Sequence, residues 1–198
     1  MCFDPICADP HFDQTHGLLR NIPGITEQLL LDRYEGASAA NALIRLEFNP
    51  VQGCFDRIHL QAIHRAIFAE VYAWAGELRQ VNIQKPGSFP FAAAQFLIQN
   101  LDETFARLEK ERFLKGLASV NFSRRAAFYL GELNALHPFR EGNGRTQREF
   151  LRELAINAGY RLNWSVIRSD EMIAASIESH VHGRNDAFER ILQQCICL

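Results

Sequence analysis

Apolar positions in this sequence recur mainly at steps of three and four residues, the period of an amphipathic α-helix. Asn49-Pro50 is expected to end the first helix, because the residue before a proline is pushed out of helical backbone geometry. Gly76 and Gly159 are expected to cap the second and fifth helices. The pattern predicts a mostly α fold with helices over about 25–46, 56–74, 92–113, 119–136, 143–158, 170–180 and 186–195.

One segment breaks the helical period, between Leu78 and Pro90. Its apolar positions Val81 and Ile83 alternate with polar Asn82 and Gln84, and Lys85-Pro86-Gly87-Ser88 is a turn signal. We expect a short β-hairpin or extended flap over about 79–90, as the only β element. No repeat, low-complexity tract or linker interrupts the chain, which predicts one domain over 1–198.

Composition and charge narrow the class of protein. Hydrophobic residues make up 47% and charged residues 22%, the balance of an ordinary globular domain. The net charge of −2 gives no overall field for nucleic acid or for an anionic membrane. Neither a signal-peptide pattern nor an apolar run of membrane-spanning length is present. We therefore expect no direct nucleic-acid partner and no membrane partner.

The five cysteines are odd in number, form no Cys-x-x-Cys pair and lie mostly near the two ends. This usage argues against a disulfide framework or a zinc site and favours a reducing compartment. The expected location is the cytoplasm.

Candidate chemistry is concentrated between 137 and 148. Two glycines in the turn 139–144 let the backbone approach a ligand closely, and the turn leads into a helix N-terminus, where unpaired N–H groups favour phosphate. Arg145 and Arg148 are three residues apart in the first turns of that helix, where positive charge opposes the helix dipole. Their placement indicates a bound polyanion.

Three more residues complete the arrangement. His137 titrates near neutral pH in its ordinary state and can accept a proton from a hydroxyl. Glu141 beside phosphates is a natural Mg²⁺ ligand. Phe139 is expected to anchor the loop to the core. The alternative is a plain helix corner with a glycine-rich connection, whereas the spacing fits neither the P-loop nor the Rossmann fingerprint.

The twelve residues His137-Pro138-Phe139-Arg140-Glu141-Gly142-Asn143-Gly144-Arg145-Thr146-Gln147-Arg148 resemble the Fic family signature HPFx(D/E)GNGRxxR without departure. Further similar segments surround the signature, and the opening of the chain resembles the short stand-alone bacterial Fic toxins. These segments are 55–64, 74–79, 84–91, 174–177 and 185–186, with Asp9-Pro10 and Gly24-Ile25 at the start.

The resemblance implies a Fic-type helical bundle that moves AMP from ATP to a hydroxyl side chain of another protein. By the same resemblance, His137 is the base and Glu141 holds Mg²⁺. Gly142, Asn143 and Gly144 form an anion cradle with Asn143 on the α-phosphate. Arg145 and Arg148 bind the β- and γ-phosphates. The flap residues Asn82, Ile83, Gln84 and Lys85 would pair with an extended target segment.

Many Fic proteins carry an inhibitory Ser/Thr-x-x-x-Glu-Gly/Asn helix whose glutamate pairs with the second arginine of the signature. No copy is present here, since Glu35-Gly36 is preceded at the required position by Leu31. We therefore expect a separate small antitoxin that supplies this glutamate to Arg148. The family's stand-alone toxins further suggest type II topoisomerases, DNA gyrase and topoisomerase IV, as targets.

Two alternatives remain from the sequence. A Fic fold could transfer another group, such as phosphate, UMP or phosphocholine, although the intact Gly142-Asn143-Gly144 argues against phosphate. A catalytically silent binding module is the other alternative, against which the intact His137 argues.

Overall fold

The computed structural model describes residues 9–85 and 89–197. Seven α-helices make up most of this part of the chain, which confirms the predicted mostly α fold. They are α1 (Gln28–Phe48), α2 (Arg57–Phe68), α3 (Leu97–Lys110), α4 (Ser119–Leu136), α5 (Asn143–Ala158), α6 (Ser169–His182) and α7 (Asp186–Cys195).

Helix α4 lies at the centre of the bundle and contacts α3, α5, α6 and α7, while α2 packs against α1, α3 and α5. Both faces of α4 are therefore covered, and its buried positions run along its whole length, from Phe122 to Leu136. The core continues into α5 through Phe150, Leu151 and Leu154, which have no exposed surface. This packing fixes the end of α4 against the start of α5, and the segment between them carries the signature.

Helix α1 begins and ends slightly later than predicted, but it stops at Asn49-Pro50 as expected. Helix α2 ends at Phe68, so the prediction that it continues to Trp74 was wrong. The chain turns because the N–H groups of Val71 and Tyr72 both donate to the Phe68 carbonyl, and Val71 then accepts from the N–H of Ile22. Gly76 consequently does not cap α2, although its φ of 90° is left-handed.

The predicted third helix, 92–113, is also shorter than expected. It comprises a 3₁₀ turn at Ala94–Phe96, then α3, then a second short turn at Arg112–Leu114 with left-handed backbone angles. Helices α4, α5 and α7 match their predicted bounds, and α5 is capped by Gly159 as predicted.

The prediction that the flap is the only β element was wrong. Strand β1 (Phe12–Asp13) pairs antiparallel with β2 (Leu18–Leu19), and β3 (Arg161–Leu162) pairs antiparallel with β4 (Ile196–Cys197). The flap is extended and closed by an isolated antiparallel bridge between Gln84 and Pro90. Pro86, Gly87 and Ser88 of the turn signal lie outside the described residues, as do Cys2 and Cys7.

Within the described ranges no helix is long and apolar enough to cross a membrane. Cys54, Cys195 and Cys197 are free thiols.

Candidate active site

The signature forms a tight loop that joins the C-terminus of α4 to the N-terminus of α5. Two left-handed residues shape it: His137 has a φ of 45° and Gly142 a φ of 78°. At Gly142 only glycine fits, because an added Cβ would lie 2.3 Å from the ring of Phe68. The loop opens onto a cavity of about 400 Å³.

Two walls of different chemistry line this cavity. The loop and α5 supply the polar wall with Arg140, Glu141, Asn143, Gly144, Gln147 and Arg148, next to Lys85, Asn134 and His137. Helix α6 and the flap supply a largely apolar wall with Met172, Ile173, Ser176, Ile177, His180, Val181 and Phe91.

The imidazole of His137 is held flat against Phe91, with ring centroids 3.8 Å apart and planes 15° apart. Its Nδ1 lies 3.4 Å from the carbonyl oxygen of Asn134. If Nδ1 carries the proton and donates to that carbonyl, Nε2 is left as the acceptor. Burial, and to a smaller extent the charge of Lys85, lower the pKa of His137 to about 3. The ring is therefore neutral at physiological pH.

The Asn143 side chain closes the loop. Its Oδ1 accepts from the N–H of Phe139 at 2.8 Å, and its Nδ2 donates to the Phe139 carbonyl at 2.7 Å. Phe139 itself is buried and stacks on His64. The side chain of Asn143 is thus engaged inside the loop, and its backbone N–H belongs to the first turn of α5, where helical N–H groups lack intrahelical partners.

The Glu141 carboxylate is about half exposed and lies on the cavity side of the loop. It accepts a hydrogen bond from the N–H of Gly142 at 2.8 Å. Behind it, His64 Nε2 lies 3.0 Å from the Glu141 carbonyl oxygen. Burial lowers the pKa of His64 to about 4.

The two signature arginines have different surroundings. Arg145 pairs with Glu35 of α1 at 2.5 Å, and its guanidinium lies 4.8 Å from the centre of the Phe68 ring. Glu35 also accepts from the hydroxyl of Tyr72. Arg145 is therefore fixed beside the cavity by a carboxylate 110 residues away in sequence.

Arg148 lines the cavity and has no ion pair in the part of the chain that the structure describes. Burial lowers the pKa of Arg148, and the neighbouring Arg145 cation lowers it further. A cation placed without a carboxylate partner at a cavity wall is suited to an anionic ligand.

Arg79 connects the flap to the signature loop. Its guanidinium donates to the carbonyls of His137 (2.8 Å), Leu136 (3.1 Å), Val81 (2.7 Å) and Ala92. Its backbone N–H donates to Pro138 at 2.9 Å. The side chain is buried, and this burial lowers the pKa of Arg79 to about 10. The carbonyls at the end of α4 carry the negative end of the helix dipole and stabilise this cation.

A second cavity of about 520 Å³ adjoins the first along the flap. Asn82, Ile83 and Gln84 line it, together with Val81, Pro90, Phe91, Ala93, Asp9 and Arg140. Arg140 lines both cavities and pairs with Asp9 at 2.5 Å. Lys85, in contrast to the other three flap residues of the sequence prediction, lies on the wall of the first cavity.

The sequence analysis did not identify Glu35, Arg79 or Phe91 as site residues, nor the contacts of His64 with the loop. Glu35 carries no local signal, because its partner is distant in sequence, whereas Phe91 lies in a segment that resembles the Fic family. Arg79 and His64 fall inside the segments that resemble the Fic family, and that resemblance is the signal that could have identified them.

The sequence matches the profile of the Fic/DOC family over residues 54–155. It is 41% identical to protein adenylyltransferase VbhT of Bartonella schoenbuchensis over 94% of this chain and 38% of VbhT, so it spans less than half of that relative. It is 33% identical to the "Probable protein adenylyltransferase Fic" of Escherichia coli K12, over 95% of this chain and 92% of that protein.

Among solved structures, the N-terminal Fic domain of a Bartonella quintana cell filamentation protein, crystallised with bound ADP, superposes with a TM-score of 0.89 at 28% identity. The superposition covers 94% of each chain. The signature, its flanking helices and these matches agree: the chain belongs to the Fic/DOC family.

Proposed function

We propose that this protein is an ATP-dependent protein adenylyltransferase, which moves AMP from ATP to a hydroxyl side chain of a target protein. The observation that carries the proposal is the neutral imidazole of His137 at the edge of a cavity that the N-terminus of α5 and Arg148 also line. A base next to an anion site is the minimum for nucleotidyl transfer to a hydroxyl.

The cavity accommodates the two chemical halves of a nucleotide. The triphosphate lies on the polar wall, where the first N–H groups of α5 and the guanidinium of Arg148 favour negative charge. Asn143 and Gly144 contribute their backbone N–H groups there, and Arg145 stands beside them with the donors that Glu35 does not use. The nucleoside lies against the apolar wall of Met172, Ile173 and Ile177.

The residues present also fit a magnesium ion. Mg²⁺ in nucleotide sites is held by one or two carboxylates and completed by phosphate oxygens and water. Glu141 offers one half-exposed carboxylate on the cavity side of the loop. A bound Mg²⁺ would neutralise phosphate charge, and Glu141 is the residue that would hold it.

The transfer step balances with these groups alone. His137 Nε2 takes the proton from the target hydroxyl, and the hydroxyl oxygen forms a bond to the α-phosphorus. The bond from that phosphorus to the β-phosphate oxygen breaks, and pyrophosphate leaves, stabilised by Arg148. Phe91 and Asn134 keep the imidazole in place during the step.

The target segment is proposed to lie along the flap in extended conformation. The adjoining 520 Å³ cavity runs beside Asn82, Ile83 and Gln84 and reaches Arg140 at the edge of the nucleotide cavity. Type II topoisomerases are the proposed targets on the family resemblance alone. We place the activity in the cytoplasm, where ATP is supplied and free thiols such as Cys54 stay reduced.

A separate antitoxin is proposed to restrain the enzyme. Support comes from Arg148, whose cation at the cavity wall lacks a carboxylate among the described residues, and from the lack of an inhibitory motif in the sequence. The carboxylate of the Glu35-Gly36 pair engages Arg145 and not Arg148. Co-expression with a small helical protein carrying the motif should suppress labelling by wild type. Unchanged labelling would argue against this regulation.

The activity is tested with ATP labelled separately at the α- and γ-positions, incubated with purified protein and lysate. α-Label on a protein band, lost in the His137→Ala variant, is the expected result. γ-Label would instead identify a kinase. If no label depends on His137 while ADP still binds, the protein is a silent binding module and the proposal fails.

A further inference from the structure

His64 contacts the signature loop from behind, and the proposed transfer step does not use it. The residue has no exposed surface. Its Nδ1 lies 2.8 Å from the backbone nitrogen of Gly76, which can only donate. Nδ1 is therefore the acceptor, and the proton of the neutral ring sits on Nε2 and is donated to the Glu141 carbonyl at 3.0 Å. Two backbone partners thus select one tautomer.

Aromatic contacts fix the plane of the same ring. It stacks on Phe139 with centroids 3.9 Å apart and planes 17° apart, and it lies 4.8 Å from the ring of Phe68. Phe139 is two residues before Glu141 in the loop. His64 therefore holds the loop at two points, once by stacking and once by a hydrogen bond.

The hydrogen bond to the Glu141 carbonyl determines where the next N–H points. In a trans peptide unit the C=O and N–H groups point in opposite directions. Since the Glu141 carbonyl points inward to His64, the Gly142 N–H points away from the core, and it does donate to the Glu141 carboxylate on the cavity side. The left-handed φ of Gly142 completes this turn of the backbone.

We propose that His64 is a positioning residue that sets the Glu141–Gly142 peptide plane, so that the Gly142 N–H and the Glu141 carboxylate face the magnesium–nucleotide ligand. The identity of that ligand rests on the proposed function, whereas the orientation of the peptide does not. A merely structural His64 would act through Gly76 and the packing of α2, without a specific effect on the ligand.

Two substitutions separate these roles. In His64→Gln the amide nitrogen can replace Nε2 and donate to Glu141, whereas in His64→Asn the amide oxygen can replace Nδ1 and accept from Gly76. Both variants lose the ring, so they serve as matched controls for packing. Melting temperature is measured on both to compare their stability.

The probe is Mg²⁺–ADP, measured by calorimetry. We expect His64→Asn to bind about tenfold more weakly than wild type, the effect of one lost hydrogen bond, and His64→Gln to stay within about threefold. With ATP, the Asn variant should show a raised KM together with a lowered kcat. Equal binding by the two variants, or weaker binding by Gln than by Asn, would overturn the proposal.

Wild-type protein provides a measurement that needs no variant and no transfer activity. In a ¹⁵N-labelled sample, the Gly142 amide resonance should shift on addition of Mg²⁺–ADP, and long-range ring couplings should show His64 protonated on Nε2. The positioning role would be overturned if Mg²⁺–ADP bound without shifting the Gly142 amide resonance. It would also be overturned if the His64 ring were protonated on Nδ1. Failure of AMP transfer alone, with these results intact, would count against the proposed function instead.

Discussion

The carboxylate of Glu35 on α1 forms an ion pair with the guanidinium of Arg145 on α5. The pair is mostly buried, and Tyr72 donates a further hydrogen bond to the same carboxylate. Burial and the neighbouring Glu35 raise the pKa of Tyr72, which therefore remains a donor. Arg145 thus links the first helix to the signature, while Arg148, three residues later, is directed to the cavity.

The different partners of the two arginines predict opposite effects of two methionine substitutions on stability and on ligand binding. Arg148→Met should weaken Mg²⁺–ADP binding by about tenfold or more, because one charge-assisted hydrogen bond is lost, and should change stability little. Arg145→Met should lower the free energy of unfolding by about 2–4 kcal/mol, because Glu35 is left without its partner. Calorimetry and urea unfolding measure the two effects.

The control is the double variant Glu35→Gln with Arg145→Met, which removes both charges and should recover most of the lost stability. If the two arginine substitutions gave the same stability loss and the same binding loss, the assignment of one structural and one ligand-facing arginine would be wrong.

Arg79 provides a second prediction, because four carbonyl groups from the flap and from the end of α4 share its guanidinium. Arg79→Lys keeps the charge but cannot reach all four acceptors with one ammonium group. We expect a loss of about 2–4 kcal/mol in unfolding free energy, since buried carbonyls lose their donors. Transfer should also slow, because the His137 carbonyl is one of the four.

The exposed Arg124 is the matched control, since its side chain is 64% exposed and makes only a long 3.6 Å pair with Glu189. Arg124→Lys should leave both unfolding and transfer unchanged. An Arg79→Lys protein as stable and as active as the Arg124→Lys protein would show that Arg79 does not hold the loop.

Local sequence information was sufficient to predict the bounds of helices that end at a glycine or before a proline. Helix α5 lies between Gly142 and Gly159, both left-handed, and its bounds were predicted correctly. The end of α2 was not, because the apolar periodicity continues to Val71, while the turn after Phe68 pairs with the distant Ile22. The extra β pairs were missed for another reason, since strands of two residues contain too few positions for an alternation to be seen.

The candidate site could likewise be predicted from sequence only where its residues lie close together in the chain. Its signature residues lie within twelve positions and could be recognised together, whereas the groups that fix them are far apart in sequence. Glu35 reaches Arg145 across 110 residues, and Arg79 reaches His137 across 58. Asn143 is a further case, because the family resemblance places it on the α-phosphate, whereas its side chain closes the loop through Phe139.

The pKa of His137 predicts how stability depends on pH. Burial and the charge of Lys85 lower the pKa to about 3 in the folded protein, against 6.5 for the free side chain. Below pH 6.5 the unfolded chain therefore binds a proton that the folded one does not, and the free energy of unfolding falls as pH falls. By pH 5 this residue should account for about 1–2 kcal/mol of lost stability.

Urea unfolding of wild type and of His137→Asn at pH 7 and pH 5 measures this contribution, since all other titrating groups are common to both proteins. Wild type should lose more stability than the variant over this interval. An equal loss would mean that His137 titrates near its ordinary pKa in the folded protein, and the neutral base of the proposed mechanism would then need another cause.

Gly142 provides a further test of the loop. Comparing it with Gly159, the glycine at the other end of α5, distinguishes the cost of steric collision from the cost of backbone strain. Both Gly142 and Gly159 are left-handed, with φ of 78° and 91°. An added Cβ at Gly159 meets nothing within 4 Å, whereas at Gly142 it would meet the Phe68 ring at 2.3 Å. Gly159→Ala should therefore cost about 1 kcal/mol, the strain of a left-handed alanine, and leave Mg²⁺–ADP binding intact.

Gly142→Ala should cost about 2–4 kcal/mol and weaken Mg²⁺–ADP binding, since either the Phe68 ring or the loop must move. Adding Phe68→Leu should recover part of the stability by making room, but not the backbone strain. Urea unfolding and calorimetry on wild type, Gly159→Ala, Gly142→Ala and the Gly142→Ala/Phe68→Leu double variant distinguish steric collision from backbone strain. If Gly142→Ala and Gly159→Ala behaved alike, close approach to Phe68 would not be what requires glycine in the loop.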